Sequence, residues 1–560
     1  MNEYKIAREE VARMVGIEVK ELTYILYKEK IDKLYVEFEI PKKNGKMRLI
    51  HSPKKNLKWI QRQLSKSLFK RHLEYLEKND IQLIVSHGFQ KGKSIITNAK
   101  IHKNKKYLLN VDISDFFSSF HFGRVRGYFE KSREFEFSKE VSTIISQLVC
   151  YKGVLPQGAP TSPIITNIIF NIVDLRILAL AKKYKLDYTR YADDMSFSTN
   201  NSKFIYEYKV FIDELTVVLK KSGFNINSDK TRLEYSSSRQ EVTGLTVNNK
   251  VNASRLFIKD TRAMANQLYT KGEFLINGEN GTLNQLEGRF SFINQMDWHN
   301  NKIEYIIKKS KSNKKYISGL NAREKQYQKF LFYKYFFMPQ KPAIITEGKT
   351  DIVHIKSALK KHYEKYPKMI VRKKDGFEFQ VNFLNKTKKL SYFLGIVENG
   401  ADTMKNIWNF YTGSNNCLNI YSFLFEKNET KDLQKNKPVI LLFDNEQKNQ
   451  KSKDKKPLKE FLDYTKIKLE NECRKELIGN LYLQTIHLVN DLEECEIEDL
   501  YPKDILDIKI GDKTFSRDSR ADTQQYFGKH KFSLYISKHY QEIDFENFFP
   551  LLDSINEILP

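Results

Sequence analysis

Short apolar runs, each closed by a polar or turn-forming residue, punctuate the chain. Tyr107–Val111 is one such run, and its apolar character predicts a buried strand that ends in Asp112. Leu186–Arg190 and Met195–Ser198 flank Tyr191-Ala192-Asp193-Asp194, which predicts a hairpin with the acids at its tip. Between these segments, Leu155–Pro163 is rich in turn formers and leads into a helix that begins near Ile164. Residues 317–337 show amphipathic helical spacing with many aromatics, and Pro339–Pro342 then breaks the pattern, so the main domain boundary is set there. Beyond it, Ala343–Thr346, Phe393–Val397, Val439–Phe443 and Leu481–Val489 read as buried strands separated by helical stretches. That alternation predicts an α/β unit with a mostly parallel sheet.

Composition narrows the classes. A chain of 560 residues holds three or four domains at roughly 100–200 residues each. With 40% hydrophobic and 29% charged residues it is a folded protein, not a disordered one. Lysine and arginine number 95 against 69 acids, a formal net charge of +26, which points to a polyanionic partner, nucleic acid before an anionic membrane. The excess is local. Residues 1–340 hold 59 basic and 35 acidic side chains, residues 341–560 hold 36 and 34, and residues 41–110 alone hold 18 and 3. Lys308–Lys315 reads as an exposed basic loop or linker, and Glu446–Lys456 as a mobile polar loop. No apolar run is long enough for a membrane span, so no membrane partner is expected. The polar start (MNEYKIAREE) is read as neither signal nor transit sequence, and four scattered cysteines without a CxxC pair fit a reducing, cytoplasmic setting.

The chemistry-bearing residues of the first half form one constellation. Asp112 stands at a strand end and Asp193 with Asp194 at a hairpin tip. Carboxylates from separate strands can hold a pair of Mg²⁺ ions about 3.5–4 Å apart, the arrangement of in-line nucleotidyl transfer. Adjacent acids at a turn are ordinarily a solvated loop; it is the combination of segments that favours chemistry.

VDISDFF, LPQGAPTSP and YADD, in that order, resemble the palm motifs of reverse transcriptases. The resemblance implies an α+β right-hand polymerase of fingers, palm and thumb over residues 1–310, with Asp112 and Asp193 binding metal and Asp194 beside them. It places Phe117 where a ring excludes a ribose 2′-OH and Gln157 in the nucleotide pocket. Pro41–Arg48 resembles the fingers hairpin, with Lys46 and Arg48 gripping the triphosphate, and Lys230 after Gly223-Phe224 resembles the lysine that assists pyrophosphate departure. Asn98-Ala99-Lys100-Ile101-His102 resembles the NAxxH signature of retron enzymes and Val242-Thr243-Gly244 their VTG signature, which implies RNA contacts for Asn98, His102, Val242, Thr243 and Gly244. Retron enzymes start from the 2′-OH of a guanosine in their own structured non-coding RNA and leave an RNA-linked single-stranded DNA.

A second acidic set follows the linker, residues 311–340. Glu347-Gly348 closes the first strand of residues 341–560, Asp351 lies in the next helix's first turn, and Asp444-Asn445-Glu446 closes a later strand. Strand ends of a parallel sheet are the usual location for sites. This pattern resembles the Toprim domain of topoisomerases, primases and overcoming-lysogenization-defect nucleases, which implies an α/β domain with Mg²⁺ on Glu347, Asp351, Asp444 and Glu446. Glu446 stands where that family has Asp. Gly400 is read as the glycine after the second strand, and Glu498 and Asp499 as further acidic candidates.

Together the resemblances imply a retron reverse transcriptase fused to a Toprim nuclease effector for antiphage defence. Expected partners are the non-coding RNA, its RNA-linked DNA, deoxynucleoside triphosphates and a nucleic-acid substrate of the Toprim part, with homo-oligomerisation left open. The alternatives are a Toprim part that only binds or assembles, and a group II intron-like maturase.

Overall fold

In the computed structural model, residues 2–560 are described apart from 42–44, 46, 82–84, 302–318, 398–399, 430–435, 447–455, 470–471 and 519–520. Lys46, Lys308–Lys315, Glu398, Asn399 and most of Glu446–Lys456 therefore lie outside the described residues. The chain divides into two compact units, Met1–Ser254 and Arg255–Pro560.

In the first unit, β1 (Tyr35–Pro41) and β2 (Met47–Pro53) pair antiparallel, with Ile40 opposite Arg48. The principal sheet comprises β3 (Tyr107–Ser114), β4 (Asp187–Tyr191), β5 (Asp194–Thr199) and β6 (Asn225–Tyr235), ordered β4-β5-β3-β6 and antiparallel throughout. The helix Ser162–Lys183 starts on Pro163, whose missing N–H costs nothing in a first turn. Its length and hydropathy would let it cross a membrane, but Ile165, Phe170, Ile177 and Ala181 are buried in the unit's core. A short hairpin, β7 (Glu241–Val242) with β8 (Leu245–Thr246), precedes the division.

The second unit opens with the helix Arg255–Lys271, the hairpin β9 (Leu275–Ile276) with β10 (Glu279–Asn280), and the helix Leu283–Asn300. The aromatic helix forms as Ala322–Phe332, capped by Asn321 and Glu324, and runs on through Phe337. Its Phe330, Leu331, Phe336 and Phe337 share one core with Leu268, Leu286 and Phe290. Phe290 stacks on Tyr327 with centroids 5.4 Å apart. The division therefore falls before residue 255 and not at Pro339–Pro342, because the helices of 255–300 bury their apolar faces against the aromatic helix.

The main sheet of this unit has the order β14-β11-β15-β17-β16. Its strands are β11 (Ala343–Thr346), β14 (Asn382–Phe383), β15 (Val439–Phe443), β16 (Arg474–Ile478) and β17 (Leu481–Thr485). A separate hairpin joins β12 (Ile370–Lys373) to β13 (Gly376–Phe379). Pairing is parallel except for the edge strand β16. Ile345, Leu441 and Phe443 face one apolar core and Ile344, Ile440 and Leu442 the other, so both faces are covered. Phe393–Val397 is a correction: Lys388–Leu394 is a helix that ends at Gly395 in the left-handed conformation (φ 65°). Leu390, Phe393 and Leu394 are buried at helical spacing, a pattern that a short apolar run does not distinguish from a strand. Leu481–Val489 is strand only to Thr485.

Candidate active sites

Sheet register assembles the first site. On β3, Asp112 pairs with Asp194 of β5 on one side and with Asn227 of β6 on the other. Asp193 occupies the turn between β4 and β5, next to Ala192 at φ 58°, and its main-chain oxygen accepts from Ile113 N at 3.1 Å. The Asp112 carboxylate accepts from Lys230 Nζ at 3.0 and 2.9 Å and from Asn227 Nδ2 at 3.1 Å. Burial, with the charge of Asp112, raises Asp193 above the usual carboxylate range. Asp194, though partly open to solvent, is pushed up to about 6 by desolvation and by Asp193 and Asp112.

Three mutually repelling hard-oxygen donors suit a divalent cation. Among the described residues, however, no three His, Cys, Asp or Glu side chains are gathered at metal-ligand spacing, and Lys230 holds Asp112. The Lys230 side chain is 60% exposed, so it can swing away from the carboxylate. Asp112, Asp193, Asp194 and Lys230 are thus brought together. Arg48 is exposed on β2, and its charge reaches Asp193.

Gln157 is half-buried, and its main-chain oxygen accepts from His51 N at 2.8 Å, which ties the turn of Leu155–Pro163 to the β1–β2 hairpin. Gly158 completes that seat: at φ 120° an added Cβ would stand 2.8 Å from the His51 carbonyl oxygen. Gly158→Ala is expected to cost about 1–3 kcal/mol, read as an earlier midpoint in denaturant unfolding of the full chain. An unchanged midpoint would show that the turn relaxes freely. Phe117 is half-buried and meets Phe116 edge-on at 5.6 Å.

The NAxxH and VTG segments, far apart in sequence, pack together: the helix Ile95–Ile101 lies against β7 and β8. Thr243 (φ 46°) and Gly244 (φ 82°) link those strands, two positive φ values in a two-residue hairpin loop. Val242 is fully buried, and His102 is corrected as a direct RNA contact. Its imidazole is fully buried and bonded at both nitrogens, to Ser198 Oγ and Thr189 Oγ1 at 2.7 Å each, so it braces β4 against β5. Burial lowers it to about 3, and it stays neutral. Asn98 is buried, and neither its amide atoms nor Thr243 Oγ1 has a hydrogen-bond partner among the described residues.

One buried polar cluster beside the Asp193 turn escapes motif reading. Arg190, fully buried, donates from Nε and Nη2 to the Asp174 carboxylate at 2.7–3.1 Å and from Nη1 to the Ala192 carbonyl at 2.9 Å. The available signal was Asp174 itself, an acid inside the apolar run Ile164–Leu180.

The second constellation sits at the C-terminal edge of the parallel sheet. Strands β11 and β15 are neighbours, with Thr346 opposite Leu442, so Glu347 and Asp444 leave the sheet side by side. Glu347 Oε1 accepts from Asp444 N at 3.2 Å. Asp351 Oδ2 accepts from Gly348 N at 2.7 Å and so caps its own helix. Burial, then the charge of Asp351, pushes Glu347 up to about 8. Asp444 is driven well upward by burial and by Glu347, and Glu446 rises chiefly through burial. Gly400 begins a helix, and Glu498 is fully buried beneath the cluster with one oxygen 3.1 Å from Lys529 Nζ. Asp499 accepts from Arg517 Nη2 at 2.6 Å. These are hard-oxygen donors that a divalent cation would relieve of repulsion, but among the described residues no three stand at metal-ligand spacing here either.

A pH test follows. Between the ordinary glutamate value of 4.5 and about 8, folded Glu347 keeps a proton that the unfolded chain has lost, so stability falls as pH rises through that window. In metal-free buffer, Glu347→Gln should flatten the fall in melting temperature between roughly pH 5 and 8 and melt higher than the parent at the alkaline end. Parallel curves for the two proteins would sink the assignment.

Residues 40–248 match the family described as reverse transcriptase (RNA-dependent DNA polymerase). The chain is similar to the Retron Mx162 reverse transcriptase of Myxococcus xanthus, 32% identical over 316 residues that cover 52% of this chain and 64% of that one. It therefore spans somewhat under two thirds of that relative's length. It is also similar to the Retron Ec86 reverse transcriptase of Escherichia coli, 30% identical over 323 residues that cover 57% of this chain and 90% of that one. Among solved structures, apo telomerase from Candida tropicalis aligns with a TM-score of 0.30 and 14% identity over 53% of this chain and 60% of that one.

Proposed function

Because the chain belongs to the retron reverse transcriptases, we propose that it copies its own structured non-coding RNA into a single-stranded DNA that stays joined to the RNA. The observation that carries this is the register that sets Asp112 opposite Asp194, with Asp193 in the adjoining turn. Divalent cations held by these three carboxylates, Mg²⁺ in this proposal, would activate the attacking hydroxyl and neutralise the triphosphate. The chain's own groups do the rest. Arg48 binds triphosphate oxygens, Lys230 turns from Asp112 toward the leaving pyrophosphate, and Phe117 excludes a ribose 2′-OH. Thr243 and Gly244 offer a polar seat to the RNA, Asn98 and Val242 being buried, and the basic segment 41–110 attracts its phosphates.

For the second unit we propose a Toprim nuclease effector in antiphage defence, with Glu347, Asp351, Asp444 and Glu446 holding Mg²⁺ for cleavage of nucleic acid. A binding or assembly role is the second reading, favoured by one observation: Lys529 and Arg517 already neutralise Glu496, Glu498 and Asp499. We place the protein in the cytoplasm.

The test is to purify the full chain and sequence the nucleic acid that accompanies it. A branched RNA-linked DNA is expected, and an intron lariat would overturn the reading in favour of a maturase. Glu347→Gln should keep DNA synthesis and lose metal-dependent cleavage and phage resistance. If neither Glu347→Gln nor the double substitution of Asp193 and Asp194 by Asn alters resistance, the effector proposal fails.

A further inference from the structure

Arg190 is the largest fully buried side chain among the described residues, and it is charged. A buried ion pair is weak evidence for stability, since apolar residues of similar volume often serve as well, so its retention calls for another reason. The contacts supply one. Asp174, which pairs with the guanidinium at 2.7 Å, and Asn167, whose Oδ1 accepts from Nη1 at 3.2 Å, both lie on Ser162–Lys183, the helix that follows the nucleotide-pocket turn. Tyr188 donates its hydroxyl to the same Asp174 carboxylate at 2.7 Å, and the Phe170 ring lies 4.6 Å under the guanidinium. The remaining contact of Nη1 goes to the Ala192 carbonyl, in the turn that carries Asp193.

That turn needs holding. Ala192 has φ 58°, a left-handed conformation that strains a residue with a Cβ. The Arg190 main chain is fixed as well, its N–H donating to Val85 O at 3.0 Å and its carbonyl accepting from His87 N at 2.8 Å. Gly88 closes over the turn, where a Cβ would lie 2.9 Å from Ala192 N. The turn is therefore gripped from the helix side by the guanidinium and from the opposite strand segment by backbone.

We propose that Arg190 is a positioning residue of the polymerase site: anchored on Asp174 and Asn167, its guanidinium fixes the Ala192 carbonyl and thereby aims the Asp193 carboxylate at the position shared with Asp112. The inference rests on the polymerase reading of that site. A displacement of about 1 Å can cost a hundredfold in rate without weakening binding.

Two variants test it in the full chain. Arg190→Lys keeps a charge for Asp174, but its single nitrogen cannot also reach the Ala192 carbonyl. The double variant Arg190→Met with Asp174→Leu replaces the pair by apolar groups, a change buried ion pairs tolerate in stability. In both, kcat for deoxynucleotide addition should fall roughly a hundredfold, with KM and RNA affinity within about threefold of the parent. Calorimetric titration with Mn²⁺ should show weakened binding at the polymerase site. A kcat within about threefold of the parent in the folded double variant overturns the proposal. So does a KM that rises in step with the loss of rate. If the unaltered chain makes no DNA from its RNA, the polymerase reading itself fails, and this inference with it.

Discussion

Asp193→Asn should abolish DNA synthesis, by roughly a thousandfold or more, while leaving the melting temperature of the metal-free protein unchanged or higher. The two halves of that result share one cause. Burial and the charge of Asp112 hold the Asp193 carboxylate above its ordinary range, so the folded protein works against itself to keep that anion in place. Asparagine keeps the shape, removes the repulsion and cannot neutralise a cation. Primer extension under single-turnover conditions measures the first effect and calorimetric melting the second. Retention of more than about a tenth of the parent rate would remove Asp193 from the proposed set.

The neighbouring Asp194 adds a pH signature. With its carboxyl raised to about 6, the rate should fall as pH drops through that value, because the protonated form no longer attracts a cation. Stability should move oppositely. Between the ordinary value of 3.8 and about 6 the folded state retains a proton the unfolded state has lost, so this group's contribution grows as pH falls.

Phe117→Val should let ribonucleotides in. The ring is half-buried, and Phe116 behind it is packed against Phe120, Phe170 and Phe224 at 5.1–6.2 Å, so Phe117 cannot retreat from an added hydroxyl. Valine shortens that wall without disturbing the cluster. Discrimination against ribonucleoside triphosphates should relax by roughly 10–200-fold, the range available to a pocket that differs by a small group. Paired single-nucleotide additions with ribo- and deoxynucleotides read the ratio. An unchanged ratio would mean that another group supplies the selection.

The acids were readable from sequence because carboxylates beside apolar runs are restricted in type and in neighbours: Asp193 was placed in its turn, and Glu347 and Asp444 just beyond β11 and β15, before any contact was known, whereas Asp112 lies inside β3, which runs on to Ser114. Strands β3, β11 and β15 were readable for a related reason, since burial on both faces leaves an uninterrupted apolar run. Phe393–Val397 was not, because four apolar residues around one glycine fit a helix end as well as a strand, and Gly395 in its left-handed cap decided between them. His102 shows a different limit. Its segment marks a real packing element, but spacing alone does not say whether an imidazole faces solvent or bridges two hydroxyls inside the sheet. The boundary at Pro339–Pro342 reflects the same gap: prolines report where a helix must stop, not which apolar faces seek each other.

That shared core behind residue 255 constrains how this protein can be dissected. A fragment ending at 310, natural as a stand-alone polymerase, would strand Phe290 without Tyr327 and Phe330, and Glu287 without Lys334 and Lys389. Such a fragment would present a sticky aromatic surface and report on aggregation before it reported on catalysis. Severing at 254 leaves that core whole, and it redistributes the electrostatics. Residues 255–560 then hold 51 basic against 41 acidic side chains, so the downstream piece carries a cationic surplus of its own.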